Sequence, residues 1–96
     1  MIALRLTPRA RADLDGIWSY TVEKWNTDQA EAYVRAIDQA LKLLRANPRL
    51  GRSASDVEHD LFKFPVASHV LYYKLAPGTL IVVRVLHKSM DIEQHL

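Results

Sequence analysis

Cysteine is absent from the 96-residue chain. That excludes a disulfide framework and a thiolate zinc site, and leaves apolar packing to hold the fold, as suits a reducing compartment. No stretch approaches the ~18 consecutive uncharged apolar residues that a membrane span needs. The start, Met1-Ile2-Ala3-Leu4-Arg5, lacks the apolar region of a secretory signal. A soluble cytoplasmic protein with no membrane contact is expected. A large charge excess is missing too: the net charge is +2, too small by itself to support non-specific nucleic-acid binding, which rests on many phosphate contacts. What remains is ordinary globular composition, 49% hydrophobic and 25% charged, which argues against a long disordered tail. At this length one compact core is expected, a single domain over residues 1–96.

Hydrophobic spacing then divides the chain. Ile2, Leu4 and Leu6 alternate with Ala3, Arg5 and Thr7, the period of a strand with one buried face. Thr7 is placed to cap a helix, and Pro8 suits the first helical position because its missing N–H would be unpaired there anyway. Ala10, Leu14, Ile17, Trp18, Thr21, Val22 and Trp25 recur at helical steps and leave Arg9, Arg11, Asp13, Asp15 and Glu23 for water. Asn26-Thr27 interrupts the pattern, with Asn26 and Gln29 spaced as a capping box. Ala30, Tyr33, Val34, Ile37, Ala40, Leu41 and Leu44 form a second helical stripe. So short a break predicts an antiparallel helical hairpin, and Asn47-Pro48 ends its second arm.

Leu50 to Asp60 reads as a polar loop of about a dozen residues. Lys42, Arg45, Arg49 and Arg52 come without an intervening acid, and Asp56, Glu58 and Asp60 follow without a base; both runs read as solvated faces. Leu61 to Pro65 is a short strand that Pro65 confines to an edge or ends. Val70 to Leu75 and Thr79 to Leu86 are stronger strands joined across Pro77-Gly78. The order β-α-α-β-β-β gives an α+β fold: a helical hairpin packed on one face of a small, mainly antiparallel sheet whose other face is open. Residues 88–96 offer Ser89 as a cap and Ile92 as one apolar anchor, equally compatible with a helical turn and a loose tail.

The last strand delivers Arg84, His87, Lys88 and Asp91 together at its end, a place where a small domain could meet a partner or do chemistry. His87, Asp91 and His95 are spaced four apart, as metal ligands on a helix can be. His87 belongs to a strand end, however, so no metal site is expected. A hydrogen bond from His87 to Asp91, fastening the tail, is expected instead. RNA cleavage through a 2′-hydroxyl needs a base, an acid and cations for the phosphorane. Arg84 and His87, three residues apart, fall on opposite faces of a regular strand, which favours a surface arginine and a packed histidine over catalysis. Trp18, Trp25 and Tyr33 lie on or beside the helical stripes and Phe62 and Phe64 on the edge strand. Core packing is their default role, but a domain this small cannot enclose every ring, so they are also the candidate partner-binding groove.

Four segments carry a resemblance. They are Arg5-Leu6-Thr7-Pro8-Arg9-Ala10 running into Ala12-Asp13-Leu14-Asp15-Gly16-Ile17-Trp18-Ser19-Tyr20; Asn47-Pro48-Arg49-Leu50-Gly51-Arg52; Ser68-His69-Val70-Leu71-Tyr72-Tyr73; and Arg84-Val85-Leu86-His87 with Asp91. In this order, over nearly the entire chain, the sequence resembles the ParE branch of the RelE/ParE toxin superfamily, the toxin halves of bacterial type II toxin–antitoxin pairs. The resemblance implies the same β-α-α-β-β-β fold and inhibition of DNA gyrase by stabilising its cleaved-DNA complex, with no catalytic residue and no cofactor. It also implies a ParD-like antitoxin that wraps a C-terminal segment around the toxin in a hetero-oligomer and supplies the DNA-binding part, so direct nucleic-acid contact by this chain is not expected. The RelE branch shares the fold but cleaves messenger RNA on the ribosome, using a basic sheet surface and often a tyrosine or histidine near the C-terminus. Here the final nine residues contain no tyrosine, and Lys63, Lys74 and Arg84 make a thin phosphate lining in the last three strands. Messenger RNA cleavage is kept as the alternative, because fold is a poor guide to activity.

Overall fold

In the computed structural model, which describes residues 1–96, the alternating N-terminal segment is strand β1 (Ala3–Leu6). Thr7 ends it with an extended backbone and caps α1 (Pro8–Lys24): its Oγ1 accepts from the Ala10 N–H at 3.1 Å, and Pro8 opens the helix. Asn26 does the same for α2 (Thr27–Ala46), its Oδ1 accepting from the Gln29 N–H at 2.7 Å. Each such cap stabilises by ~1 kcal/mol. Helix α2 stops at Ala46, where Asn47 is pushed out of helical conformation ahead of Pro48.

Four further strands follow: β2 (Arg52–Ser53), β3 (Phe62–Val66), β4 (His69–Ala76) and β5 (Thr79–His87). They form one sheet in the order β1-β5-β4-β3-β2, with β1 parallel to β5 and every other pair antiparallel. The α+β architecture and the element order are those expected. Between β4 and β5, Pro77 supplies a fixed φ and Gly78 takes φ 65°, a left-handed turn position that glycine fills without steric cost. Strand β2 was hidden inside the polar loop because it is only two residues long and pairs on one side alone. Pro65 lies within β3 rather than at its end, beyond the residues paired with β2, where that edge is bare.

The main core joins the helical hairpin to one sheet face. Ile17 of α1 and Ile37, Leu41 and Leu44 of α2 pack with Leu71, Tyr73, Leu80, Val82 and Val85. Helix α2 contributes most, because its stripe is unbroken; α1 buries only Ala10 and Ile17. Each large side chain so enclosed is worth ~1.5–3 kcal/mol.

The other sheet face is not open. Ala54, from the segment read as a polar loop, and Leu61, read as the first residue of the next strand, cover Tyr72 and Leu86, with Val57, Val70, Val83 and Ile92 packed around them. The Ala54 N–H donates to the Leu61 carbonyl at 2.7 Å and closes the loop over this second cluster. Ala54 and Val57 stand isolated in the polar stretch and carry no periodicity, so nothing local announced the cover. The tail also differs: Asp91, not Ser89, caps a short 3-10 turn (Ile92–Gln94), accepting from the Glu93 N–H at 3.1 Å. No helix is long and apolar enough to cross a membrane.

Candidate functional site

Strand β1 ends at Leu6, opposite Val82, while β5 continues to His87. The last part of β5 therefore has no strand on that side, and its backbone groups need other partners. Two side chains around the start of α1 supply them: Thr7 Oγ1 donates to the Val83 carbonyl at 2.9 Å, and Asp13 Oδ2 accepts from the Val85 N–H at 2.9 Å. A bulge sits at the same level, with Tyr72 opposite Arg84 but Tyr73 opposite Val82, leaving Val83 unpaired.

Asp13 also holds Arg84 by a two-pronged pair, Nε to Oδ2 at 2.8 Å and Nη2 to Oδ1 at 2.9 Å. The two side chains are only 14% and 15% exposed. The hydrogen bonding that Arg84 donates to Asp13, aided by the carboxylate's charge, outweighs desolvation and raises the already high pKa of Arg84. Arg84 Nη1 further donates to the His95 carbonyl, which Arg9 Nη1 reaches at 3.5 Å. Arg84 is thus an internal tie between β5, α1 and the tail, not the surface residue expected. Its partner lies 71 positions earlier in the chain, a distance no spacing rule spans.

His87 faces the helices. Its ring meets His69 edge-on with centroids 5.3 Å apart, and His69 Nδ1 lies 2.5 Å from the Tyr33 hydroxyl, which also accepts from the Ser68 N–H at 3.1 Å. Burial first, and then the neighbouring His87, lower the pKa of His69, with Asp13 opposing. The expected His87–Asp91 bond is not made. The chain turns directly after His87, so the Ser89 hydroxyl comes within 2.7 Å of His87 Nδ1 while Asp91 is spent on its cap. Lys88 is exposed, and its N–H ties the tail to the Ser68 carbonyl at 2.8 Å. His87, Asp91 and His95 fall at a strand end and at the two ends of the 3-10 turn, and no three His, Asp or Glu residues are grouped to hold a metal.

The five aromatic candidates occupy different settings. Trp25 is 70% exposed and Trp18 38%, so α1 leaves both indoles largely outside the core. Tyr33 is half-buried on its bonds to Ser68 and His69. Phe62 and Phe64 lean into the main core, Phe62 stacked on Tyr73 with centroids 5.3 Å apart. A different depression, about 460 Å³, runs between α1, the end of β5 and the tail, lined by Gly16, Tyr20, His69, His87, Met90 and His95 among others. Sequence reasoning also passed over Tyr73, which is fully buried. Its hydroxyl donates to the Pro48 carbonyl at 2.8 Å and accepts from the Gly51 N–H at 3.0 Å, fixing the Asn47–Arg52 segment.

Comparison with known proteins gives this geometry its class. The family described as the ParE toxin of the type II toxin–antitoxin system parDE matches residues 4–92. Toxin ParE1 of Mycobacterium tuberculosis is 41% identical over 92 residues, 95% of this chain and 94% of its own length. Toxin ParE1 of Caulobacter vibrioides is 34% identical over 92 residues, 96% and 95% of the two chains, and Toxin ParE of Escherichia coli is 30% identical over 97 residues, 100% and 94%. A solved structure titled "Chromosomal ParDE TA system from P. aeruginosa" superposes with a TM-score of 0.77 at 23% identity, covering 91% of this chain and 96% of that one, which supports the fold. The fold and the matched segments define a toxin of a type II toxin–antitoxin system. The chain belongs to the ParE toxin family.

Proposed function

We propose that this toxin acts in the cytoplasm by stabilising the cleaved-DNA complex of DNA gyrase, without a catalytic residue of its own, and that a ParD-like antitoxin neutralises it in a hetero-oligomer. The observation that carries the non-enzymatic part is a row across the sheet, where Arg52, Lys63, Tyr72 and Arg84 are successive cross-strand partners. A ribonuclease on this surface would need free cations beside a base. Arg84 is committed to Asp13, and Lys74, two residues along β4 from Tyr72, to Glu58 at 2.6 Å. Tyr72 is packed beneath Ala54 and Leu61, and burial pushes its pKa up, away from what a base requires. Arg52 and Lys63 remain as an exposed cation pair at the β2 edge. The gyrase target and the antitoxin follow from kinship with the ParE branch, supported by matches over nearly the whole chain.

The test is incubation of the purified chain with gyrase, supercoiled plasmid and ATP. Linear DNA accumulates if the reading holds, and a His87→Gln variant still produces it. Untouched gyrase together with cleaved message on ribosomes overturns it in favour of a RelE-like activity.

A further inference from the structure

Arg52 and Lys63 are direct cross-strand partners on β2 and β3. Like charges directly opposite on a sheet repel and weaken the pairing. Lysine can blunt an open sheet edge, but Lys63 is flanked by β2 and β4 and guards none. The close approach is built in. A Cβ on Gly51 would meet the Tyr73 hydroxyl and the Lys63 carbonyl, so glycine is what lets residues 49–52 press against β3. The buried Tyr73 hydroxyl then pins that segment through the Pro48 carbonyl and the Gly51 N–H. Arg49, Arg52 and Lys63 are all exposed on this frame.

Nothing in the chain neutralises these cations. No carboxylate occurs between Asp38 and Asp56, and Asp38 is paired with Lys42 at 3.2 Å. Of the acids that follow, Glu58 holds Lys74 at 2.6 Å, Asp60 lies 3.2 Å from His59, and Asp56 has no cation within 4.0 Å. The ion pairs of the chain engage Lys42, His59, Lys74 and Arg84, and leave Arg49, Arg52 and Lys63 without a partner. Arg45, next in the same run, gives its Nε to the Ile2 carbonyl and keeps its charge uncompensated.

Unpaired cations held together suit a polyanion. The neighbouring rings are spent, Phe62 and Phe64 in the main core and Tyr72 beneath Ala54 and Leu61, so none is offered for the base stacking that holds single-stranded RNA. Leu50, half-exposed, lies with Ile2, Ala46 and Leu75 in a depression that includes neither Arg52 nor Lys63, which leaves this edge without an apolar anchor for a protein. The phosphates of a duplex backbone need neither. We propose that this edge grips the phosphate backbone of the duplex that gyrase holds, so that the toxin binds enzyme and DNA together. The proposal rests on the gyrase reading above. It departs from the expectation of no direct nucleic-acid contact, because a net charge of +2 averages over a run that is locally all basic.

The test titrates the labelled chain onto gyrase alone and onto gyrase holding a duplex, over a range of potassium concentrations. Wild type should bind the loaded enzyme more tightly, and its log affinity there should fall more steeply with log salt, by roughly 2–3, as three phosphate contacts require. Arg52→Gln and Lys63→Gln should each take about 1 from that slope. Each should also raise the chain concentration needed for linear DNA roughly fivefold near physiological salt. Neither should lower the thermal unfolding midpoint, since each relieves a like-charge pair. Arg52→Lys, and Arg35→Gln on the exposed face of α2, should behave as wild type. Row variants that keep the wild-type slope overturn the contact while the gyrase reading stands, and an equal loss in Arg35→Gln overturns it as an effect of net charge. Variants that lose ribosome or antitoxin binding with loaded gyrase unaffected overturn it in favour of RNA or protein. Should wild type neither bind gyrase nor linearise plasmid, both readings fall together.

Discussion

Replacing Arg84 with alanine strips the cation from Asp13, whose side chain is only 15% exposed in the intact pair. Removing one partner of a buried pair costs ~3–5 kcal/mol. Asp13 keeps its bond from the Val85 N–H, so the low end applies, about 3 kcal/mol. For a domain of this size each kcal/mol is about 4–8 °C, so the unfolding midpoint should fall by roughly 12–24 °C in a thermal scan near neutral pH. The tail should loosen as well, because Arg84 holds the His95 carbonyl. Hydrogen exchange at the Gln94, His95 and Leu96 amides, all bonded within the 3-10 turn, should quicken. Asp13→Asn combined with Arg84→Met should cost less than Arg84→Ala alone, since it strands no charge and Asn can still accept from Val85. A fall of less than about 4 °C for Arg84→Ala, or a double variant worse than the single, would refute this reasoning.

Two further outcomes follow from the same contacts. His69 has its pKa lowered from 6.5 by burial and by His87, so below about pH 6.5 the unfolded chain takes up a proton that the folded chain resists, and stability falls until folded His69 itself titrates. His69→Gln should lack that part of the decline, seen as urea midpoints of variant and wild type that converge as pH drops; parallel curves would contradict it. Gly51→Ala should lower stability by ~1–3 kcal/mol, because the added Cβ meets the Tyr73 hydroxyl and the Lys63 carbonyl. An unchanged midpoint would show that the segment yields freely.

Most of the fold was legible because its signals are local. Thr7-Pro8, Asn26 and Asn47-Pro48 act on their immediate neighbours, and the α2 stripe and Pro77-Gly78 do the same. What escaped depends on distant partners. The cover made by Ala54 and Leu61 exists only because Tyr72 and Leu86 present an apolar face. The site was legible by name but not by role: Arg84 and His87 were singled out, yet Asp13 on α1 and His69 on β4 decide what each does. Trp18 and Trp25 match helical spacing yet stay exposed, and periodicity cannot tell a buried stripe from an exposed one.

The claim that harm comes from protein contact, not turnover, is tested most directly by stoichiometry. Increasing amounts of the chain are added to a fixed concentration of gyrase with plasmid and ATP, and linear DNA is measured alongside ribosome-bound message. Linear DNA should rise with added chain and level off as the chain comes to match the enzyme, with the message intact. Message that disappears steadily with time when the chain is scarce relative to ribosomes, at unchanged plasmid topology, would contradict it.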